Sequence, residues 1–278
     1  MTDLLGYLFA SNLDRPACEG DCMTTTRRTF LAGSLATLVA AHPLIGCSAA
    51  STATKVHVMG VIHARHRRSE RYSLAVLEKA IRKAAPDVIL TEIPPDRIGR
   101  AISSFEATGK VEEPRTQVFP EYTDVVFPLR REMKFRLFGC AGWTRKIADE
   151  RAHELDLIEN DPARARQWAE HRAAQSKFAR LVSGHSDDPR FIHTESFDQL
   201  VEKSREPYHQ HFDAVLGAGG WTQINKAHTD LINLALDQIS GEGLTALIMF
   251  GSAHKYMIRR SLSQRGDINL LDTTDLFA

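Results

Sequence analysis

Only four cysteines occur in the 278-residue chain, neither sign of charge is in excess (35 basic against 35 acidic side chains), and no apolar run reaches bilayer-spanning length. Each shortage closes a class. Four cysteines in a chain this long do not make a disulfide scaffold, although they leave room for a bridge or two or for part of a metal site. Zero net charge removes the global attraction expected of a nucleic-acid coat or a polybasic membrane binder, so no nucleic-acid partner is expected. The longest apolar stretch, residues 30–45, falls short of the roughly 20 residues of a transmembrane helix. No G-x-S-x-G nucleophile elbow occurs, and the glycines within 217–220 follow no strand, so they read as a helix-to-helix turn and not as a phosphate cradle. What the sequence does have is 43% hydrophobic and 25% charged residues, the proportions of a folded globular protein.

The apolar stretch follows Arg27 and Arg28 and ends in Leu44, Ile45, Gly46 and Cys47. Its length suits the core of a signal peptide, and Pro43 interrupts any buried helix there. The arginine pair followed by Thr29, Phe30 and Leu31 resembles the twin-arginine export signal of bacteria, and the segment ending at Cys47 resembles the lipobox, whose cysteine is acylated and becomes the first mature residue. Together they predict a lipoprotein exported by the twin-arginine machinery, anchored in the membrane by lipid on Cys47 and facing the periplasm or cell exterior. Met23 stands where such a signal normally starts. Residues 1–22, with Cys18 and Cys22, therefore read as an upstream extension, residues 1–46 as removed, and residues 47–54 as a small, polar tether. Cys140 remains as a lone thiol, by default a small buried residue, the alternative being a haem-iron ligand.

From residue 55 onward, strand and helix patterns alternate. Residues 56–62 are apolar and β-branched, broken by His57; Ser69 can cap a helix running to Ala84, with Leu74, Leu77 and Ile81 on one stripe. A second strand, 88–93, ends at Pro94 and Pro95; helices are expected from Asp96 and over 122–133, and a third strand over 135–139. Residues 146–212 are charged and helical in composition, with Trp168, Phe178, Leu181 and Phe197 as scattered anchors and a loop near 183–189. This predicts a helical insertion or cap over about 146–215. A helix over 221–239, a strand over 245–250, a helix near His254 and a short strand over 268–271 complete the pattern. The expectation is a single α/β domain over 55–278, with a mostly parallel central sheet flanked by helices.

Ligands of open parallel sheets bind beyond the carboxyl ends of the strands. There the first strand runs into Gly60, Val61, Ile62 and His63, the second into Thr91 and Glu92, and the fourth into Gly251, Ser252, Ala253 and His254. The third delivers Cys140 and Trp143. Two histidines and a carboxylate are a common ligand set for a divalent metal, and they also suffice for metal-free hydrolysis with Glu92 or a histidine as general base. Arg65, His66, Arg67, Arg68 and Arg71 crowd the same rim. Arg65 and Arg68 are candidates for holding an anionic substrate group, the other reading being a basic turn that is solvated or paired with acids of the insertion. His66 is near enough to His63 to be an additional ligand. Asn225 and His228 share a helix face, from which they could contact substrate or support a metal ligand, unless that face is simply solvated. His209 and His211 diverge if helical, which argues against a metal there.

At the two G-x-x-H segments and the intervening glutamate the sequence resembles the superfamily of TraB, TIKI and PrgY, whose relatives include the ChaN haem-binding lipoproteins and the erythromycin esterases. The resemblance covers residues 56 to about 260 in short islands: Gly60 to His63, Glu92 with Pro94 and Pro95, and Gly251 to His254. It implies an α/β fold with a shared pocket. It further implies a peptidase or ester hydrolase acting on a peptide or small molecule through His63, Glu92 and His254, or a haem-binding lipoprotein without catalysis. Some members carry an arginine at the helix before the last motif, where this chain has Ile224 and Asn225, so any activity depending on that arginine is not implied.

Overall fold

The computed structural model describes residues 52–278. Cys47, Arg27, Arg28 and the expected signal peptide lie outside them. Five strands, β1 (Thr54–Val61), β2 (Val88–Thr91), β3 (Arg136–Gly139), β4 (Thr245–Gly251) and β5 (Ile268–Leu270), form one sheet in the order β3-β2-β4-β1-β5, and every pairing is parallel. Ten α-helices connect them among the described residues. These are α1 (Leu74–Ala84), α2 (Pro95–Thr108), α3 (Pro114–Gln117), α4 (Phe127–Met133), α5 (Arg145–Asn160), α6 (Ala165–Leu181), α7 (Pro189–Ile192), α8 (Glu195–Leu216), α9 (Trp221–Asp237) and α10 (Lys255–Leu262). Of the described helices, none is long and apolar enough to cross a membrane.

Both faces of the sheet are covered, which is why its strands read as near-continuous apolar runs. Met59, Val61, Ile89, Leu247 and Met249 face one core with Leu77 and Ile81 of α1, Phe105 of α2 and Leu129 of α4. Val56, Val58, Leu90, Ile248 and Phe250 face the other, with Ile232 and Leu236 of α9 and Ile258 and Leu262 of α10. The neighbouring strands β1 and β4 therefore send their connections to opposite faces, through α1 and α10. That divergence opens a crevice at their carboxyl ends, the usual ligand position in such a sheet.

Three boundaries differ from the sequence reading. Helix α1 is capped by Ser73, which accepts from the Val76 amide at 3.4 Å, and the basic residues precede it in a 3-10 turn, His63–Arg67. Ser69 instead accepts from the Tyr72 amide and donates to Asp187 of the insertion. The helix expected over 122–133 opens as a π-helical turn, Glu121–Val126, before α4. Part of the expected tether belongs to the fold, since Thr52 bridges to Glu242 and Thr54 is buried in β1. The insertion between β3 and β4 is helical throughout, and Ile158, Val201, Tyr208 and Phe212 merge its apolar faces with the first core. Leu181, expected as an anchor, is instead exposed.

Strand β5 is short and pairs only with Thr54 to Val56 of β1. Further along that edge the backbone needs other partners. Gly60 finds them in side chains: its amide donates to His193 Nε2 at 2.9 Å, and its carbonyl accepts from the Tyr72 hydroxyl at 3.1 Å.

Candidate functional site

Glu92, at the end of β2, lies between two histidines. Its Oε2 is 3.8 Å from His63 Nε2 and its Oε1 is 3.7 Å from His254 Nε2. The side chains of His63, Glu92 and His254 keep 16%, 8% and 13% of their surface exposed, so the cluster is largely desolvated. Close backbone approach makes this arrangement possible. The Gly251 amide donates to Glu92 Oε2 at 2.6 Å, and a Cβ on Gly251 would stand 2.6 Å from His63 Nε2. The Glu92 amide donates to the Tyr122 hydroxyl at 2.8 Å, which in turn donates to the Met249 carbonyl at 2.7 Å. Tyr122 thus ties the ends of β2 and β4 together. His63 has a φ of +50°, in the left-handed region that costs a side-chain-bearing residue about 1 kcal/mol.

Each histidine is held from behind. His63 Nδ1–H donates to Glu121 Oε1 at 2.6 Å, and His254 Nδ1–H donates to Asn225 Oδ1 at 2.7 Å. The Asn225 orientation is fixed because its Nδ2 donates to the Trp221 carbonyl. Trp221 also stacks on His254, with ring centroids 4.8 Å apart and planes 21° from parallel. With Nδ1 protonated in each, Nε2 of neutral His254 presents a lone pair towards this carboxylate, and Nε2 of His63 does so once its second proton is lost.

The electrostatics of the two sides are opposite. Burial alone would lower the His63 pKa, but attraction to Glu121, their hydrogen bond and the charge of Glu92 raise it to about 9. Burial carries His254 well below 6.5, and its neighbours His228, Arg205 and His63 oppose a positive charge there as well. Glu92 is raised by burial, a shift opposed by His63 and the Gly251 amide.

Glu92, His228 and His254 form a buried group able to hold a metal, with one atom from each lying within 4.8 Å of the others. The Gly142 amide donates to His228 Nδ1 at 2.8 Å, and Nε2 is buried without a protein partner. Burial keeps this imidazole neutral, with a pKa of about 3. A neutral ring accepting at Nδ1 carries its proton on Nε2, so neither nitrogen offers a free lone pair while the Gly142 bond stands. His63 has no such conflict.

The rim arginines serve elsewhere. Arg65 donates to the carbonyl and hydroxyl of Ser186 at 3.0 and 2.9 Å, Arg67 pairs with Asp124, and Arg71 donates to the Gly184 carbonyl. Arg68 is exposed. The basic turn thus fastens the insertion to β1, and the substrate role expected of Arg65 meets a guanidinium already engaged. His66 is not an additional ligand, because Nε2 accepts from the Ile62 amide and Nδ1 donates to the Tyr72 carbonyl. Asn225 and His228 are fully buried, which removes the solvated-face reading. His209 and His211 lie on α8, and His211 pairs with Glu170. Cys140 is a buried free thiol, its pKa pushed up to about 12 by burial.

Sequence reasoning missed Glu121. It sits in the π-helical turn that precedes α4, where the 3.6-residue period does not hold, so no spacing signal points to it. Comparison with protein families, curated proteins and solved structures finds no match for this chain.

Proposed function

We propose that the protein is a metal-dependent hydrolase of the TraB/TIKI type, with a divalent ion held by His63, Glu92 and His254. The observation that carries this reading is one carboxylate facing the Nε2 atoms of two histidines whose Nδ1 protons are fixed by Glu121 and Asn225. Such tethered imidazoles are the usual partners of a metal. Each imidazole Nε2 lies 3.8 or 3.7 Å from its own oxygen of Glu92, close to the spacing of about 3.4 Å between ligand atoms of a tetrahedral ion. The group whose ligand atoms all lie within 4.8 Å of one another has His228 in place of His63, so an ion on His63 would need that ring to draw in. When bound, the ion would polarise a carbonyl and lower the pKa of water. The protein's own part is to hold the proton at Nδ1 of each histidine, fix the His254 plane against Trp221 and exclude bulk water. His228 Nε2–H is left as a neutral donor for a substrate oxygen.

The substrate in this reading is a peptide or small-molecule ester. The twin-arginine and Cys47 signals support its placement as a lipid-anchored exported protein, and mass analysis of the membrane fraction should find a diacylglyceryl group on Cys47. A haem-binding role fits less well. A macrocycle needs a slot of at least about 300 Å³, whereas these side chains are 8 to 16% exposed and His228 is fully buried.

Elemental analysis of the purified full-length chain, paired with peptidase and esterase assays, tests the proposal. Metal and activity should be lost in His63→Ala and His254→Ala, while His228→Ala keeps the metal. Metal content and activity unchanged in both of the first two variants would overturn the assignment. Loss of metal in His228→Ala with retention in His63→Ala would move the ion to the Glu92, His228 and His254 group.

A further inference from the structure

The loop that follows β3 keeps its thiol to itself, since the Cys140 sulfur is buried and faces the Leu231 carbonyl. What the loop contributes instead is a backbone amide: Gly142 N–H donates to His228 Nδ1 at 2.8 Å. The approach requires glycine. A Cβ on Gly142 would stand 2.4 Å from the Cβ of Ala227 and 3.1 Å from its carbonyl carbon. Ala227 immediately precedes His228 on α9, so the contact that leaves no room for a side chain on Gly142 is the one that brings its amide to the imidazole.

That bond sets a tautomer. A ring accepting at Nδ1 is neutral and carries its one N–H at Nε2. This N–H belongs to a fully buried side chain and has no hydrogen-bond partner among the described residues. One nitrogen of the ring lies within 4.8 Å of an oxygen of Glu92 and a nitrogen of His254, and the ring stands at 90° to that of His254 with centroids 5.0 Å apart. Three residues earlier on the same helix, Asn225 presents an oxygen to His254 Nδ1 and so leaves Nε2 of that ring as an acceptor. Helix α9 thereby gives the site two neighbouring imidazoles of opposite sense. A buried donor left unpaired is unfavourable, and an acceptor that arrives with the substrate would satisfy it.

We propose that Gly142 is a positioning residue whose amide fixes His228 as a hydrogen-bond donor, and that His228 Nε2–H holds the carbonyl oxygen of an ester or amide substrate and the oxyanion that this oxygen becomes. The proposal deepens the hydrolase reading and rests on it for the reaction, whereas the tautomer rests on the Gly142 bond alone. When hydroxide, formed from water whose proton leaves to solvent, adds to the carbonyl carbon, a C–O bond forms and the π pair moves onto the carbonyl oxygen. The proton stays on Nε2, which donates more strongly to the oxyanion than to the ground-state carbonyl. The same donor sets a preference, since an ammonium group in that place would meet donor against donor.

Proton–nitrogen NMR of the chelator-treated full-length protein at neutral pH reads the tautomers directly, each ring being assigned from its loss in His228→Gln and His254→Ala. His228 should carry its proton on Nε2 and His254 on Nδ1. In the metal-loaded protein, His228→Leu should lower kcat for p-nitrophenyl acetate about 100-fold or more, with KM changed less than about threefold and metal content kept. His228→Gln, whose amide can donate from the same place, should lose only about tenfold. Gly142→Ala should shift His228 towards the Nδ1–H tautomer and lower kcat. Adding Ala227→Gly, which removes the opposing Cβ, should restore both, an outcome that a merely structural glycine would not produce. If His228→Leu does not fold, the tautomer and the double variant decide. A proton on Nδ1 of His228 in the unmodified protein, unchanged kcat in folded His228→Leu, or loss of metal in that variant sinks this proposal and leaves the hydrolase reading standing. An unmodified protein with neither metal nor hydrolysis sinks both.

Discussion

The β1 side and the β4 side of the sheet rim carry the same local motif, a glycine three residues before a histidine, yet their imidazoles are driven in opposite directions. His63 meets the carboxylate of Glu121, delivered by the π-helical turn, and is stabilised as a cation. His254 meets the neutral amide of Asn225, delivered by α9 together with His228 and, from α8, the field of Arg205, and is held neutral. The difference is not written in the motifs. It comes from what the remote connections place behind them, one negative and one neutral or positive. A shared carboxylate between an imidazolium and an imidazole gives the site one proton-rich and one proton-poor half before any ligand arrives.

The largest expected consequence concerns stability against pH in the metal-free protein. The folded pKa of His63, about 9, is raised above its unfolded value near 6.5. The stabilisation is therefore fully present below pH 6.5 and lost as pH rises through 9, on the order of 3 kcal/mol. Urea unfolding of chelator-treated protein at pH 6 and at pH 9.5 measures it. Glu121→Gln should flatten that dependence, and an equally steep loss in the variant would break the contrast between the two halves.

The same variant should weaken metal binding by about 10- to 100-fold, the usual effect of removing a carboxylate behind a ligating histidine. Isothermal titration with a divalent ion gives that number. Gly251→Ala attacks both halves at once, because its Cβ would press on His63 Nε2 at 2.6 Å. We expect a loss of about 2 kcal/mol of stability, typical of overpacking, together with reduced metal content, read by thermal unfolding and elemental analysis. The smallest change is the sharpest comparison. Asn225→Asp puts a carboxylate behind His254 as Glu121 stands behind His63, and should raise the His254 pKa by about one unit, measurable by NMR titration. An unmoved His254 would mean that burial overrides its partner altogether.

Much of this was readable from the residues. Apolar runs, the second of them ended by Pro94 and Pro95, marked the strands, and the residues following them marked the rim, because alternating strands and helices force parallel pairing and gather loops at one end. Helical composition between β3 and β4 was equally plain. The supports were not. Glu121 reaches His63 through a π-helical turn that shifts side chains off the ordinary 3.6 period, so its facing could not be derived from spacing. Whether His228 is ligand or donor depends on a bond from Gly142, 86 residues away. The choice between an anion-holding Arg65 and a basic turn held by the insertion turned on Ser186, 121 residues further along the chain.

The short β5 has a final implication for how the molecule avoids its neighbours. A bare strand edge recruits other strands and so promotes aggregation. Along the carboxyl half of β1 that edge is plugged by an imidazole and a phenol, with His193 standing in for a carbonyl and Tyr72 for an amide. A counterfeit strand made of two side chains gives Gly60 its partners without occupying the sheet's next position. The rim where β1 turns into His63 is thereby sealed against another chain, and because His193 belongs to the insertion, removing the insertion would reopen it.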